Sequence, residues 1–185
     1  MNDYRINLNY AKALYLLASD LNQTKEVLDD MRMVNAVFSE NHLLNTVLKN
    51  PTIGEAKKVA VVSDLFADKV SKTTLMFMHF VVRKRRAVNM KGISQMFMDI
   101  FRDENNIVLA NVQTAVEINP EHLERIRREV AAFTKKTVEV NAVTNDAMLG
   151  GFRLSFDTYL YDARLYTKMA KLRKEFSKNV YESKL

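Results

Sequence analysis

Residues 108–118, which read VLANVQTAVEI, decide the fold class of this chain. Apolar side chains recur at every second position, beginning with Val108, Ala110 and Val112, and Asn, Gln and Glu lie on the opposite face. This two-residue period is that of a β-strand with one buried face. Because the apolar residues before the strand repeat with a helical period instead, we expect a domain boundary near residue 105.

The segment before this boundary is predicted to form six short helices. The apolar residues from Tyr10 to Leu21 recur at the spacing of one helix face. The third helix is predicted to end at Asn50-Pro51, because a proline pushes the residue before it out of the helical region. The fifth helix is predicted to open at Ser71 or Lys72. Short helices with short connections are typical of a helical bundle, here over residues 1–105.

The segment after the boundary mixes strands and helices. Asn119-Pro120 has the residues of a helix start, with Asn as N-cap and Pro at the first helical position. Further alternating runs are predicted at Val138–Ala142 and, after Gly150-Gly151, at Phe152–Phe156. A last helix is predicted from about Asp162. The predicted fold class is α+β and mostly α: a six-helix bundle followed by a small α/β domain, residues 106–185, ordered strand–helix–strand–strand–helix.

Composition supports a folded chain without a membrane span of its own. Apolar residues make up 48% of the 185 residues and charged residues 27%, which is enough to build a core. The longest apolar run, Leu75–Val82, is far shorter than the roughly 20 residues that a transmembrane helix needs. The first residues show no charged segment followed by an apolar run, so no signal peptide is expected. We therefore expect any contact with a membrane to be indirect, through a partner.

The sequence contains no pattern of an active site. There is no Cys, which excludes thiolate metal sites, iron–sulfur clusters and Cys nucleophiles. His42, His79 and His122 lie on separate predicted elements without a second ligand at helical spacing. Gly150-Gly151 lacks the spacing of a phosphate-binding loop and more often marks a bulge or a close approach of two backbones. We therefore predict no catalytic residue, no cofactor and no metal.

Two helices have surfaces that favour a protein partner. The fifth helix is apolar around nearly its whole circumference at Leu75–Val82, so burial on every side is expected. Packing within its own domain and coverage by another chain are equally compatible with this pattern. In the first helix, small residues at Ala11, Ala13 and Ala18 would allow a second helix to approach closely.

Basic residues form a second kind of surface. Four cations stand together at Arg83–Arg86, and the last helix carries Arg164, Lys168 and Lys171 beside an apolar stripe. With a net charge of +6, these groups leave two interpretations open. They bind an acidic protein partner, or the chain is a small basic nucleic-acid-binding protein whose binding falls steeply with salt.

Several segments in this order resemble the delta subunit family of F-type ATP synthases, whose mitochondrial counterpart is the oligomycin sensitivity-conferring protein. The matching segments are YAKALY at 10–15, LKNPTI at 48–53, Lys84-Arg85-Arg86, the strand at 110–115, and Gly150–Leu154 followed by Asp162. The chain departs from the family pattern after Asp162, where Ala163-Arg164 replaces a small residue and Ser. The loop before Asp162 also lacks the usual glycine.

The resemblance implies a non-catalytic connector that stops the catalytic head from turning with the rotor, so that proton-driven rotation is coupled to ATP synthesis. Residues 1–105 are expected to bind the N-terminal helices of the alpha subunits through the first and fifth helices. The expected contact residues are Ala11, Leu14, Tyr15, Ala18, Phe77, Phe80 and Val81.

The resemblance also implies that residues 106–185 hold the b subunits of the peripheral stalk. The expected contact residues are Gly150, Gly151, Phe152, Asp162, Leu165, Met169 and Leu172. The chain is expected to bind no nucleic acid and to be a monomer when isolated. Its expected location is the cytoplasmic face of a bacterial plasma membrane, as a peripheral part of the ATP synthase.

Overall fold

The computed structural model of the chain describes residues 2–177. The chain separates into two compact units, Met1–Asn105 and Asn106–Leu185. Within the described residues, the first unit is helical, and the second contains a four-stranded sheet and two helices, one between the first and second strands and one after the last strand. The predicted class, mostly helical α+β, is confirmed.

The first unit contains six α-helices and one 3-10 turn in its described part. They are α1 (Asn2–Asp20), α2 (Thr24–Glu40), α3 (His42–Lys49), α4 (Glu55–Phe66), α5 (Lys72–Arg83), the 3-10 turn (Ala87–Asn89) and α6 (Met90–Glu104). One face of each helix supplies the core, in which Phe38, Phe66 and Phe97 are among the largest fully buried side chains. The rings of Phe38 and Phe66 stack 6.2 Å apart, which joins α2 to α4.

The start of α5 is fixed by a carboxylate from another helix. Ser71 is the N-cap, and its hydroxyl oxygen accepts a hydrogen bond from the amide of Thr74. Asp30 of α2 in turn accepts hydrogen bonds from the Ser71 amide at 2.9 Å and from the Ser71 hydroxyl at 2.6 Å. Asp30 is buried, so these donors replace the water that its carboxylate has lost. The prediction that α5 opens at Ser71 or Lys72 is confirmed.

The end of α5 is a left-handed cap. The amide of Arg86 donates to the carbonyl of Val81 at 3.0 Å, and the amide of Arg85 donates to that of Val82 at 2.9 Å. This pair of bonds is a Schellman motif, which needs a left-handed residue just after the helix. Arg85 occupies that position with φ +59°. Glycine is the usual residue there, because a Cβ makes the conformation costly.

The second unit is built around a mixed sheet. Its elements are β1 (Ile107–Thr114), α7 (Pro120–Thr134), β2 (Thr137–Thr144), β3 (Phe152–Phe156), β4 (Tyr159–Asp162) and α8 (Leu165–Ser177). The strand order is β2-β1-β3-β4, with β1 parallel to β2 and the other pairs antiparallel. Parallel strands need a crossover, and α7 supplies it. The Asn119 side chain caps α7 by accepting from the amide of Glu121, as predicted.

In the second unit, two boundaries differ from the prediction and one strand was not predicted. The alternation of apolar residues continues in sequence to Ile118, but β1 ends at Thr114, where its pairing with both β2 and β3 stops. The sequence analysis missed β4, a four-residue edge strand too short to show a period. The last helix begins at Leu165 and not at about Asp162, because Asp162 is the last residue of β4.

The buried carboxylate of Asp30 provides a test of how the first unit is held together. Asp30→Ala leaves the Ser71 amide and hydroxyl without their acceptor, so we expect the free energy of unfolding to fall by about 1–3 kcal/mol. Asp29→Ala removes a neighbouring, largely exposed carboxylate and is expected to cost under about 1 kcal/mol. Urea denaturation of the full chain measures both values, and equal losses would contradict the assigned role of Asp30.

Candidate partner-binding surfaces

An exposed apolar surface lies between α1 and α5, two antiparallel helices joined by side-chain contacts. The Thr73 hydroxyl donates to the Gln23 side chain at 3.0 Å, which places the start of α5 near the end of α1. Further along, the rings of Tyr10 and Phe80 lie 6.1 Å apart. Met76 of α5 is 71% exposed and Phe80 48%. We call the surface formed by Tyr10, Leu17, Met76 and Phe80 the α1/α5 surface.

The structure places most of the predicted alpha-subunit contact residues inside the first unit. Ala11, Leu14, Ala18 and Val81 are fully buried, and Phe77 is nearly so. These side chains hold the first unit together and are not available at its surface. That these residues contact a partner stays a prediction.

The two remaining residues of that set, Tyr15 of α1 and Phe80 of α5, are less buried and have different neighbours. Tyr15 is half-buried and its ring lies 6.1 Å from that of Phe97. Phe80 alone reaches the α1/α5 surface. Packing within its own unit does not bury α5 on every side, because Met76 and Phe80, one helical turn apart, are exposed; the alternative, coverage by another chain, stays a prediction. A helix that is apolar all round has no polar residue to mark its exposed flank, so the sequence pattern missed Met76.

In the second unit, α7 covers only part of one sheet face. Val130 of α7 packs with Ala110 of β1 and Val138 of β2 in a small core. Phe156 of β3 pairs across the sheet with Ala110, and Tyr159 of β4 pairs with Phe156. Directly paired residues point to the same side of a sheet, so these aromatic side chains continue the apolar face beyond α7.

This uncovered part of the face forms a cleft of about 1270 Å³. Phe133 of α7 stands at its edge, with its ring 5.9 Å from Phe156 and 5.0 Å from Tyr159 in edge-to-face geometry. Leu154 and Tyr161 also line the cleft. Phe133, Tyr159 and Tyr161 are each more than half exposed. A contiguous exposed patch of this kind marks a binding surface.

Gly151 is required where the chain enters α8. It has φ +83°, and a Cβ at this position would lie 2.3 Å from the carbonyl oxygen of Ala163. Two hydrogen bonds hold the backbones together there: Ala163 N–H to the carbonyl of Phe152 at 2.9 Å, and Leu165 N–H to that of Gly150 at 3.0 Å. The close backbone approach that the glycine pair predicted is confirmed. It fixes the start of α8 at the rim of the cleft, which Gly150, Gly151 and Phe152 also line.

Asp162 holds the first turn of α8 through its carboxylate. It accepts from the Arg164 amide at 3.0 Å, from two nitrogens of the Arg164 guanidinium, and from the Thr167 hydroxyl at 3.1 Å. These donors, the Arg164 guanidinium first, hold the pKa of the Asp162 carboxyl well below its usual range. Asp162 therefore positions α8, and its oxygens are already occupied.

The helix that follows presents its apolar stripe to solvent. Leu165, Met169 and Leu172 are each about half exposed, and none of the side chains of α8 is buried. Lys168 and Lys171 lie next to this stripe. An amphipathic helix with no buried face of its own fits a partner with an apolar stripe and acidic side chains.

Residues 2–177 hold no cluster of three or more His, Asp or Glu side chains arranged as metal ligands. Among the same residues, no helix is long and apolar enough to cross a membrane.

Comparison with known proteins gives one consistent match. The sequence profile of the ATP synthase delta (OSCP) subunit matches residues 6–176. The ATP synthase subunit delta of Lachnoclostridium phytofermentans is 31% identical over 182 residues, 97% of each chain. That of Cytophaga hutchinsonii is 29% identical over 180 residues, 97% of this chain and 98% of the relative.

A similar fold occurs in a solved structure. A chain in the mitochondrial ATP synthase hexamer of Toxoplasma gondii superimposes with a TM-score of 0.72 at 15% identity, covering 92% of this chain and 97% of that one. At that identity the match supports the fold alone. None of these comparisons favours the nucleic-acid-binding alternative.

The anchoring of α8 by Asp162 has a testable pH dependence. The pKa of Asp162 is lower in the folded state than the ordinary value of about 3.9. Its contribution to the stability of the first turn of α8 is therefore complete above that ordinary value, and it is lost as pH falls through the folded-state pKa. Asp162→Asn removes the ionised acceptor at every pH. We expect amide hydrogen exchange in the first turn of α8 to become several-fold faster at neutral pH.

Asp157→Asn is the matched control. Asp157 lies in the turn between β3 and β4 with φ +49°, a conformation that Asn also tolerates. This variant is expected to leave exchange in α8 unchanged. If both variants had the same effect, Asp162 would not be the anchor of α8.

Proposed function

Because the chain belongs to the ATP synthase delta (OSCP) subunit family, and so acts as a stator connector of an F-type ATP synthase, we propose a division of that role between its two units. Residues 1–105 bind the N-terminal helices of the alpha subunits, and residues 106–185 bind the b subunits of the peripheral stalk. The observation that carries the proposal is that each unit exposes an apolar surface that its own elements leave uncovered.

The α1/α5 surface is the proposed site for an alpha-subunit helix. Two antiparallel helices that meet through a few side chains and expose apolar groups between them form the kind of groove that receives an amphipathic helix. Leu17, Met76 and Phe80 are large and exposed. Burying their apolar surface against a partner would stabilise the complex by roughly 25 cal/mol for each Å² removed from water. The buried residues of the original prediction would support this surface from beneath.

The cleft and α8 are the proposed sites for the b subunits. The cleft offers aromatic rings, chiefly Phe133 and Tyr159, and α8 offers the stripe that includes Leu165 and Met169. Gly151 joins the two surfaces by fixing the start of α8 at the rim of the cleft. Two neighbouring apolar surfaces suit a partner made of paired helices. Phe133 was not among the residues predicted from the sequence.

The connector is proposed to be non-catalytic, without nucleotide, metal or other cofactor, and monomeric when isolated. It acts on the cytoplasmic face of a bacterial plasma membrane, as a peripheral part of the membrane-associated ATP synthase. Its mechanical task is to resist torque between the two partners, and buried apolar contacts suit that task because salt does not screen them.

Phe80→Asp tests the alpha-subunit site. A carboxylate placed on the α1/α5 surface would have to lose water on binding, so we expect the affinity for a synthetic alpha-subunit N-terminal helix to fall at least about 30-fold. Titration of the full chain with the fluorescent peptide measures the loss. Phe133→Asp changes a comparably exposed aromatic residue in the second unit and should leave the peptide affinity unchanged. Unaltered binding by Phe80→Asp, with circular dichroism showing a folded chain, would rule out this surface.

The same two variants, assayed for binding to the b subunits, test the proposed b-subunit site. Phe133→Asp is expected to reduce capture of the soluble C-terminal part of the b subunits at least about tenfold, because the aromatic edge of the cleft is lost. Phe80→Asp should capture the b subunits normally. If Phe133→Asp also captured them normally, the cleft would not be their site.

A further inference from the structure

Four consecutive cations, Arg83–Arg86, follow the exposed face of α5, and all four side chains are exposed. We call them the basic cluster. The carboxylate of Glu55, 2.7 Å from the Arg85 guanidinium, neutralises one of their charges. The C-terminus of α5 contributes a further charge of about −0.5. These two groups leave about two and a half positive charges uncompensated at this point of the surface, so the local structure does not account for the whole cluster.

The basic cluster is continuous with the α1/α5 surface. The ammonium group of Lys84 lies 5.5 Å from the centre of the Phe80 ring, and the Phe80 ring touches that of Tyr10. Lys84 therefore lies directly beside the apolar anchor at one end of the surface. Near the opposite end, at Leu17 and Thr73, the sequence places Lys25, Lys69 and Lys72 close to an equal number of carboxylates, Asp20, Glu26 and Asp68, so the formal charges there cancel. The surface is thus asymmetric in charge along its length.

The chain keeps this charge at a cost to its own stability. Arg85 occupies a left-handed position where glycine would remove the strain of its Cβ. The side chain of Arg85 is 85% exposed, so its ion pair with Glu55 offsets little of that strain.

We propose that the basic cluster sets the direction in which an alpha-subunit helix lies on the α1/α5 surface. The end of the helix that carries carboxylates lies over Lys84 and Phe80, and the other end lies towards Leu17. Lys84 and Arg85 are the residues that select this direction. The inference rests on the proposed alpha-subunit site, because it assigns the polarity of the partner on that surface.

Two variants distinguish the effect of the cluster's charge on binding from any effect on the stability of the domain. Arg85→Gly relieves the left-handed strain, so we expect the midpoint of thermal unfolding to rise while the affinity for an acidic amphipathic alpha-subunit peptide falls about threefold. Lys84→Glu is expected to lower that affinity about tenfold at low salt, and by much less in 0.5 M salt. Opposite signs for stability and binding in Arg85→Gly exclude misfolding as the cause.

Lys12→Glu is the matched control. Lys12 is an exposed cation of α1 on a different flank from the α1/α5 surface, and its replacement changes the net charge by the same amount as Lys84→Glu. Unchanged affinity in this variant shows that the local position of the charge matters. An equal loss of affinity in Lys12→Glu would overturn the inference.

The direction itself is measured with two versions of the peptide that share one apolar stripe and carry a pair of Glu residues in either the first or the last turn. A nitroxide label is attached at the acidic end of each. We expect amide NMR signals of residues 83–86 to broaden in both complexes. Broadening near Leu17 in either complex would overturn the inference.

The outcomes distinguish this inference from the function on which it rests. If the peptides bind, and Phe80→Asp abolishes the binding, but the cluster variants have no effect, the polarity assignment fails and the alpha-subunit site stands. If no peptide binds the folded chain, the alpha-subunit site itself fails. Binding of duplex DNA with the same dependence on Lys84 would also contradict the assignment of the cluster to a protein partner.

Discussion

The rest of this structure depends on the burial of apolar faces, and each unit has too few elements to bury all of its own. A small domain buries a smaller fraction of its surface than a large one. In the second unit, the parallel pair β1 and β2 requires the α7 crossover, and this helix lies over that pair. The antiparallel β3 and β4 extend the same face without a helix of their own. The cleft follows from this topology.

The first unit also leaves an apolar face uncovered, but for a different reason. Its helices enclose Phe38, Phe66 and Phe97, and α5 contributes Val81 to this core. Because α5 is apolar on more sides than the core can contact, its outer flank stays exposed at Phe80. The Phe80 ring lies against Tyr10 and Lys84, and about half of its surface is left in water in the isolated unit. The apolar flank therefore indicates a surface that is covered when the subunit is assembled.

Sequence reasoning predicted the elements whose signals are local. The caps at Ser71 and Asn119 and the close approach at the glycine pair each follow from the chemistry of one or two residues. It could not predict which side of α5 is exposed, because periodicity distinguishes faces only where polar and apolar residues differ. It also missed β4, because its pairing with β3 is a tertiary contact and four residues are too few to show a strand period. Which apolar side chains of α1 and α5 are exposed could not be predicted either, since exposure depends on the packing of the whole unit.

Apolar area and charge have different roles in a connector of this kind. Exposed ion pairs contribute little affinity at physiological salt, where the screening length is about 8 Å. On the proposed sites, affinity under load would therefore come from the apolar side chains of the α1/α5 surface and the cleft. An apolar stripe alone, however, fits a groove in either direction, because it is nearly the same when the helix is reversed. A charge at one end removes that ambiguity at small cost in affinity. At Lys84 and Phe80, which lie side by side, this chain places a charge next to an apolar anchor.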